Sequence, residues 1–146
     1  MERYILKSEY VDYDAHELAV HLANLLCEKH AADATILVPA KKHFKNVTLK
    51  KVFTEGAMRK LNAGKHVLLP CGQSIHVESR RTFHPSAETG VVLAMYVDEK
   101  DLSRVDECTD TKALVVVPWM PTEVEAWVNQ WSPIEVDPSQ LKQGKS

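Results

Sequence analysis

Gly90-Val-Val-Leu-Ala-Met-Tyr-Val97 is an almost unbroken apolar run that would present no charged side chain on either face of an extended strand. A strand of that kind has to be covered on both sides, as in the middle of a parallel sheet flanked by helices. Ala113-Leu-Val-Val-Val117 repeats the pattern, and Ala34-Thr-Ile-Leu-Val-Pro39 gives a version closed by proline. His66-Val-Leu-Leu-Pro70 predicts a further strand, and Ser74-Ile-His-Val-Glu-Ser79 alternates apolar with polar residues. Cys71-Gly72-Gln73 between these two has the composition of a hairpin turn, which would put one antiparallel strand at an edge.

Helical signals separate these runs. Asp14-Ala-His-Glu17 has capping-box spacing and leads into a stripe of Ala15, Leu18, Leu22, Leu25 and Leu26. Leu49, Val52, Phe53, Ala57 and Leu61 recur at helical intervals, with Arg59 and Lys60 in the last turn and Gly64 placed to end it. Asp98 can cap a short helix carrying Leu102 and Val105. Thr122-Glu-Val-Glu125 is a second capping box, after which Val124, Trp127, Val128 and Trp131 share one face. Ile134-Glu-Val136 reads as a short edge strand, and Arg80 to Thr89 as a surface loop. The alternation predicts a three-layer α/β fold. Its core is a mostly parallel sheet of about four to six strands with helices on both faces and room for one antiparallel edge strand or hairpin.

A chain of 146 residues fits one domain, here residues 1–138, followed by a polar tail over 139–146 expected to be flexible. With 45% hydrophobic and 26% charged residues, the composition is that of an ordinary globular protein. The N-terminus lacks an apolar run of signal-peptide length, and no stretch is long enough to span a membrane. Cys27, Cys71 and Cys108 are odd in number and irregularly spaced, so a disulfide framework is not expected. A reducing, cytoplasmic compartment fits that usage.

Charge is unevenly distributed. From Lys41 to Arg81 there are ten Lys or Arg against two acids, or +8, whereas from Asp98 to Asp137 there are ten acids against three bases, or −7. Either the two segments neutralise each other across the fold, or the basic one meets an anionic partner, nucleic acid or an acidic protein surface. In the second case Lys45, Lys50, Lys51, Arg80 and Arg81 are the expected contacts. Phe44 alone would be available for base stacking, because Phe53 lies on an apolar stripe.

In an open α/β sheet, ligands bind beyond the carboxyl ends of the strands. If all the apolar runs are parallel, Pro39-Ala-Lys-Lys-His43, Pro70-Cys-Gly-Gln73, Val97-Asp-Glu-Lys100 and Pro118-Trp-Met-Pro121 share one edge. Lys41, Lys42, Cys71, Asp98 and Trp119 would then line a cleft suited to an anionic, aromatic ligand. As ordinary turn and cap residues they would do nothing of the kind; Asp98 fits a helix cap as well as a ligand contact.

Recognised catalytic patterns are missing. Only five glycines are present, with neither G-x-x-x-x-G-K-[ST] nor G-x-G-x-x-G, so no nucleotide cofactor is expected. Cys71 is the best-placed thiol for nucleophilic chemistry, with His43, His66, His76 or His84 as a partner base, but the strand pattern after it denies it a helix N-terminus. No two histidines on the first helix stand at the spacing that chelates zinc, and no metal site is expected; His66, Cys71 and His76 would meet only through a hairpin. Trp127 and Trp131 either seal the core or form a contact with a partner or a second copy. Two readings of function follow: a non-catalytic binding domain facing an anionic partner, or a small enzyme or ligand-binding protein working from the strand-end cleft.

Overall fold

The computed structural model describes residues 1–6, 13–40, 53–84, 90–107, 110–118 and 124–136. Within them, seven strands form one sheet: β1 (Glu2–Leu6), β2 (Ala34–Val38), β3 (Val67–Leu68), β4 (Ser74–Ser79), β5 (Val91–Met95), β6 (Ala113–Val117) and β7 (Ile134–Val136). Their order across the sheet is β3-β4-β2-β5-β6-β1-β7. Only β3 runs antiparallel, paired with β4 through Val67↔Ile75 and Leu68↔Ser74. Every other pairing is parallel. The helices among the described residues are α1 (Tyr13–His30), α2 (Glu55–Asn62), α3 (Glu99–Asp106) and α4 (Glu125–Trp131).

The central strands β2, β5 and β6 are buried at every position, as their uninterrupted apolar sequence requires. Alternate residues feed two cores. Ile36, Val38, Leu93, Met95 and Val115 meet Ala19, Ala23, Leu26 and Cys27 of α1 and Leu61 of α2 on one face. Leu37, Val92, Leu114 and Val116 meet Leu102 and Val105 of α3 and Trp127 of α4 on the other. The expected three-layer fold is therefore present, with α1 and α2 on one face and α3 and α4 on the opposite one.

Several local expectations change. Glu2–Leu6 is a strand that hydropathy did not reveal, lying between β6 and β7. Helix α1 begins at Tyr13, so the expected cap Asp14 falls inside it, and Leu25 points outward at 48% exposure while Cys27 is buried. Helix α2 starts late because the Thr54 side chain accepts from the Ala57 amide at 3.1 Å; Phe53 precedes it, and Leu49 and Val52 lie outside the described residues. At its other end, Gly64 has φ 79°, its amide donates to Leu61, and Lys65 donates to Lys60, the paired bonds of a Schellman turn.

The loop after β4 was expected at the surface, yet Phe83 is fully buried in the second core. Arg104 fixes it there by donating to the carbonyls of Arg80 and Phe83 at 2.8 and 2.5 Å. Helix α4 starts at Glu125, the last residue of the predicted capping box, of which Thr122 and Glu123 are outside the described residues. One first-turn amide, that of Ala126, instead donates to Glu99 on α3 at 3.1 Å. The tail over 139–146 is also outside the described residues. Among the described residues, no helix is long and apolar enough to cross a membrane.

Candidate functional site

Because β2, β5 and β6 are parallel, Pro39, Asp98 and Pro118 do emerge at one edge of the sheet. The fourth segment does not join them. The hairpin reverses β3, so Cys71 stands at the amino edge, where its amide donates to Asn24 on α1 at 3.0 Å and its side chain packs on the α1-side core. Cys71 and Asp98 therefore lie at opposite ends of the sheet and cannot line one cleft. Lys41, Lys42 and Trp119 are outside the described residues.

At the carboxyl edge Asp98 caps α3. Its side chain accepts from the Asp101 amide at 3.0 Å, and the Asp101 side chain accepts in return from the Asp98 amide at 3.4 Å. The Asp101 amide, helped by Arg80, holds the Asp98 carboxyl below the usual carboxylate range. Arg80 Nε reaches both oxygens of the buried Asp101 at 2.9 and 2.8 Å, and its Nη2 stands 3.6 Å from Asp98. Here one residue of the basic segment meets two of the acidic one. Of the residues expected to meet an anionic partner, Arg80 is thus held by carboxylates of its own chain, Arg81 is exposed, and Lys45, Lys50 and Lys51 lie outside the described residues.

The same edge holds a feature the sequence did not announce. Tyr96, just past β5, has φ 61°, a left-handed conformation that is rare for a bulky residue. The backbone is pinned there by its amide, which donates to Val117 at 2.9 Å. Its phenol hydrogen-bonds Nε2 of His16 on α1, and the two rings meet edge-on with centroids 5.6 Å apart. His16 is 2% exposed, whereas Tyr96 is half-buried. After β2 the chain passes to α2 on one face, and after its neighbour β5 it passes to α3 on the other. Tyr96 thus sits where adjacent strands send their connections apart, the position at which such sheets open a crevice. A phenol bonded to a buried imidazole can both orient a ligand and pass a proton.

The amino edge holds a cavity of about 630 Å³ lined by His30, Asp33, Thr35, His66, His76 and Lys112 among others. The register puts Thr35 beside His76 on one side and Val92 on the other. His66 continues that row, its ring stacked on His76 with centroids 4.2 Å apart and planes 18° from parallel. His76 Nε2 lies 3.1 Å from Glu78 Oε1; a carboxylate only accepts, so this nitrogen carries the proton. The other ring nitrogen, Nδ1, is buried and has no hydrogen-bond partner among the described residues. Asp33 accepts from the Ser74 amide at 2.9 Å, which fixes the hairpin to the turn between α1 and β2. The hairpin thus joins His66 to His76 but leaves Cys71 on the other face. No group of three or more metal-ligating side chains gathers among the described residues.

The tryptophans divide. Trp127 is 3% exposed and donates to Asp106 at 3.0 Å, so it belongs to the core, while Trp131 is 38% exposed. No protein-family profile matches this chain, and no curated protein or solved structure shows significant similarity to it.

Proposed function

We propose that this chain binds a small ligand in the crevice at the carboxyl edge of the sheet, between the ends of β2 and β5, with the Tyr96 phenol as a contact and His16 as the group that orients it. One observation carries the reading: a bulky residue held at φ 61° with its hydroxyl directed to a buried imidazole. Such a conformation costs on the order of 1–3 kcal/mol and persists where the surroundings enforce it, typically at sites of binding or catalysis. The strand-end position supports it independently.

A thermal-shift screen over nucleotides, sugar phosphates and carboxylic acids tests the proposal, since a ligand at 100 times its Kd adds about 2.7 kcal/mol of stability. A member of the panel is expected to raise the Tm of the wild type, and Tyr96→Phe, which keeps the ring and drops the hydroxyl, to abolish that rise while remaining folded. A panel without a hit, or a ligand whose effect survives Tyr96→Phe and His16→Gln alike, would overturn it.

A further inference from the structure

We infer that the cavity at the opposite, amino edge is a second binding site, built for a small neutral polyhydroxylated molecule of the free-sugar class. Its volume of about 630 Å³ is in the range of small-molecule sites, about 300–1,000 Å³. The chemistry of its wall narrows the ligand. Asp33 and Asp110 line the space together with Gln73 and Thr35, and Lys112 is the one lysine or arginine among the lining residues. His30, also on the wall, is tied to Glu2 at 2.5 Å. A lining with more carboxylates than ammonium groups repels a phosphate or a nucleic acid backbone. Hydroxyl groups, each donor and acceptor at once, match carboxylates and an amide well.

His76 sharpens the match. Nε2–H donates to Glu78, which leaves Nδ1 as a buried acceptor with no donor among the described residues. A buried polar atom without a partner is unfavourable because it has given up its hydrogen bond to water. A ligand hydroxyl donating to Nδ1 would satisfy it, and the carboxylates of the wall disfavour an anion in the same place. The stacked His66 and His76 rings add a flat, weakly polar surface of the kind against which the C–H face of a sugar ring packs.

Histidine side-chain NMR on the full chain reads the site directly, with D-glucose, D-ribose, glycerol and inorganic phosphate as separate titrants. A neutral sugar is expected to shift the His66 and His76 ring signals saturably with a Kd on the order of 1–10 mM, and phosphate to leave them in place. His76→Phe keeps an aromatic ring on His66 and removes the acceptor, and Thr35→Val keeps shape and removes a hydroxyl. Both are expected to stay folded by circular dichroism and to weaken sugar binding at least about tenfold, the equivalent of one lost hydrogen bond of ~1.4 kcal/mol. Should no neutral sugar move the histidine signals, should phosphate move them instead, or should folded His76→Phe bind as the wild type does, the inference fails.

Discussion

The guanidinium of Arg3 lies over the ring of Trp131, 3.7 Å from its centre, while its Nε donates to Asp106 at 3.0 Å. The same Asp106 accepts from Trp127. The first strand and the last helix are therefore joined through one arginine and one carboxylate. Arg3→Ala is expected to lower the urea midpoint by the equivalent of about 1–2 kcal/mol, and Arg3→Lys to recover less than half of it, because a lysine cannot stack and fork at once. Full recovery in the lysine variant would reduce the contact to simple charge.

Asp101 is 2% exposed and depends on Arg80 for its partner. Removing the arginine leaves a buried carboxylate short of donors, so Arg80→Ala is expected to cost about 2–3 kcal/mol by chemical denaturation. The double variant Arg80→Ala with Asp101→Asn should be more stable than Arg80→Ala alone. An Arg80 reserved for an external anion would show almost no cost.

Gly90 lies so close to the turn between α1 and β2 that an added Cβ would fall 2.0 Å from the Asp33 carbonyl oxygen, an atom already held by the Val91 amide at 2.9 Å. Backbone has to move to admit even a methyl group. Gly90→Ala is expected to destabilise by more than about 3 kcal/mol and to reduce the folded yield, measured by the melting transition.

Lys29, and next His30, hold the Glu2 carboxyl down to about 2 from an ordinary 4.5. A carboxyl depressed in the folded state contributes stability above its unfolded pKa and loses it as the pH falls through the folded one. Wild type should therefore exceed Glu2→Gln in stability near neutrality, and the gap should close between pH 4.5 and about 2. A gap independent of pH across that window would assign the difference to packing.

Burial pushes the Cys27 thiol up to about 12, with Cys71 adding to the shift. In the native protein at mildly alkaline pH, iodoacetamide is expected to modify Cys71 and spare Cys27, which should react only in denaturant. Peptide mapping by mass spectrometry separates the two sites.

Much of this architecture is written in the sequence because burial on two faces leaves a compositional mark. The runs at 34–38, 91–95 and 113–117 carry it and became β2, β5 and β6. Strand β1 carries no such mark: Glu2 and Arg3 spend their charges on Lys29, His30 and Asp106, partners distant in the chain. Periodicity also ran through Thr54, where a single side-chain cap sets the true start of α2. The geometry of the candidate site was less legible. Tyr96 and His16 are 80 positions apart, and nothing in an apolar run discloses a left-handed residue at its end. The pairing of His66 with His76 was readable as a consequence of the hairpin; the parallel neighbour that completes the row, Thr35, depended on strand order.

Among the described residues the sheet ends in β3, two residues long, on one flank and in β7, three residues long, on the other. Both flanks show an apolar side chain to water, Leu68 at 72% and Ile134 at 57% exposure. A neighbouring molecule seeking to extend the ladder would find too few backbone groups to zip onto. Brevity at the margins is thus a safeguard against fibrous accretion, one that lengthening either strand by engineering would be expected to forfeit.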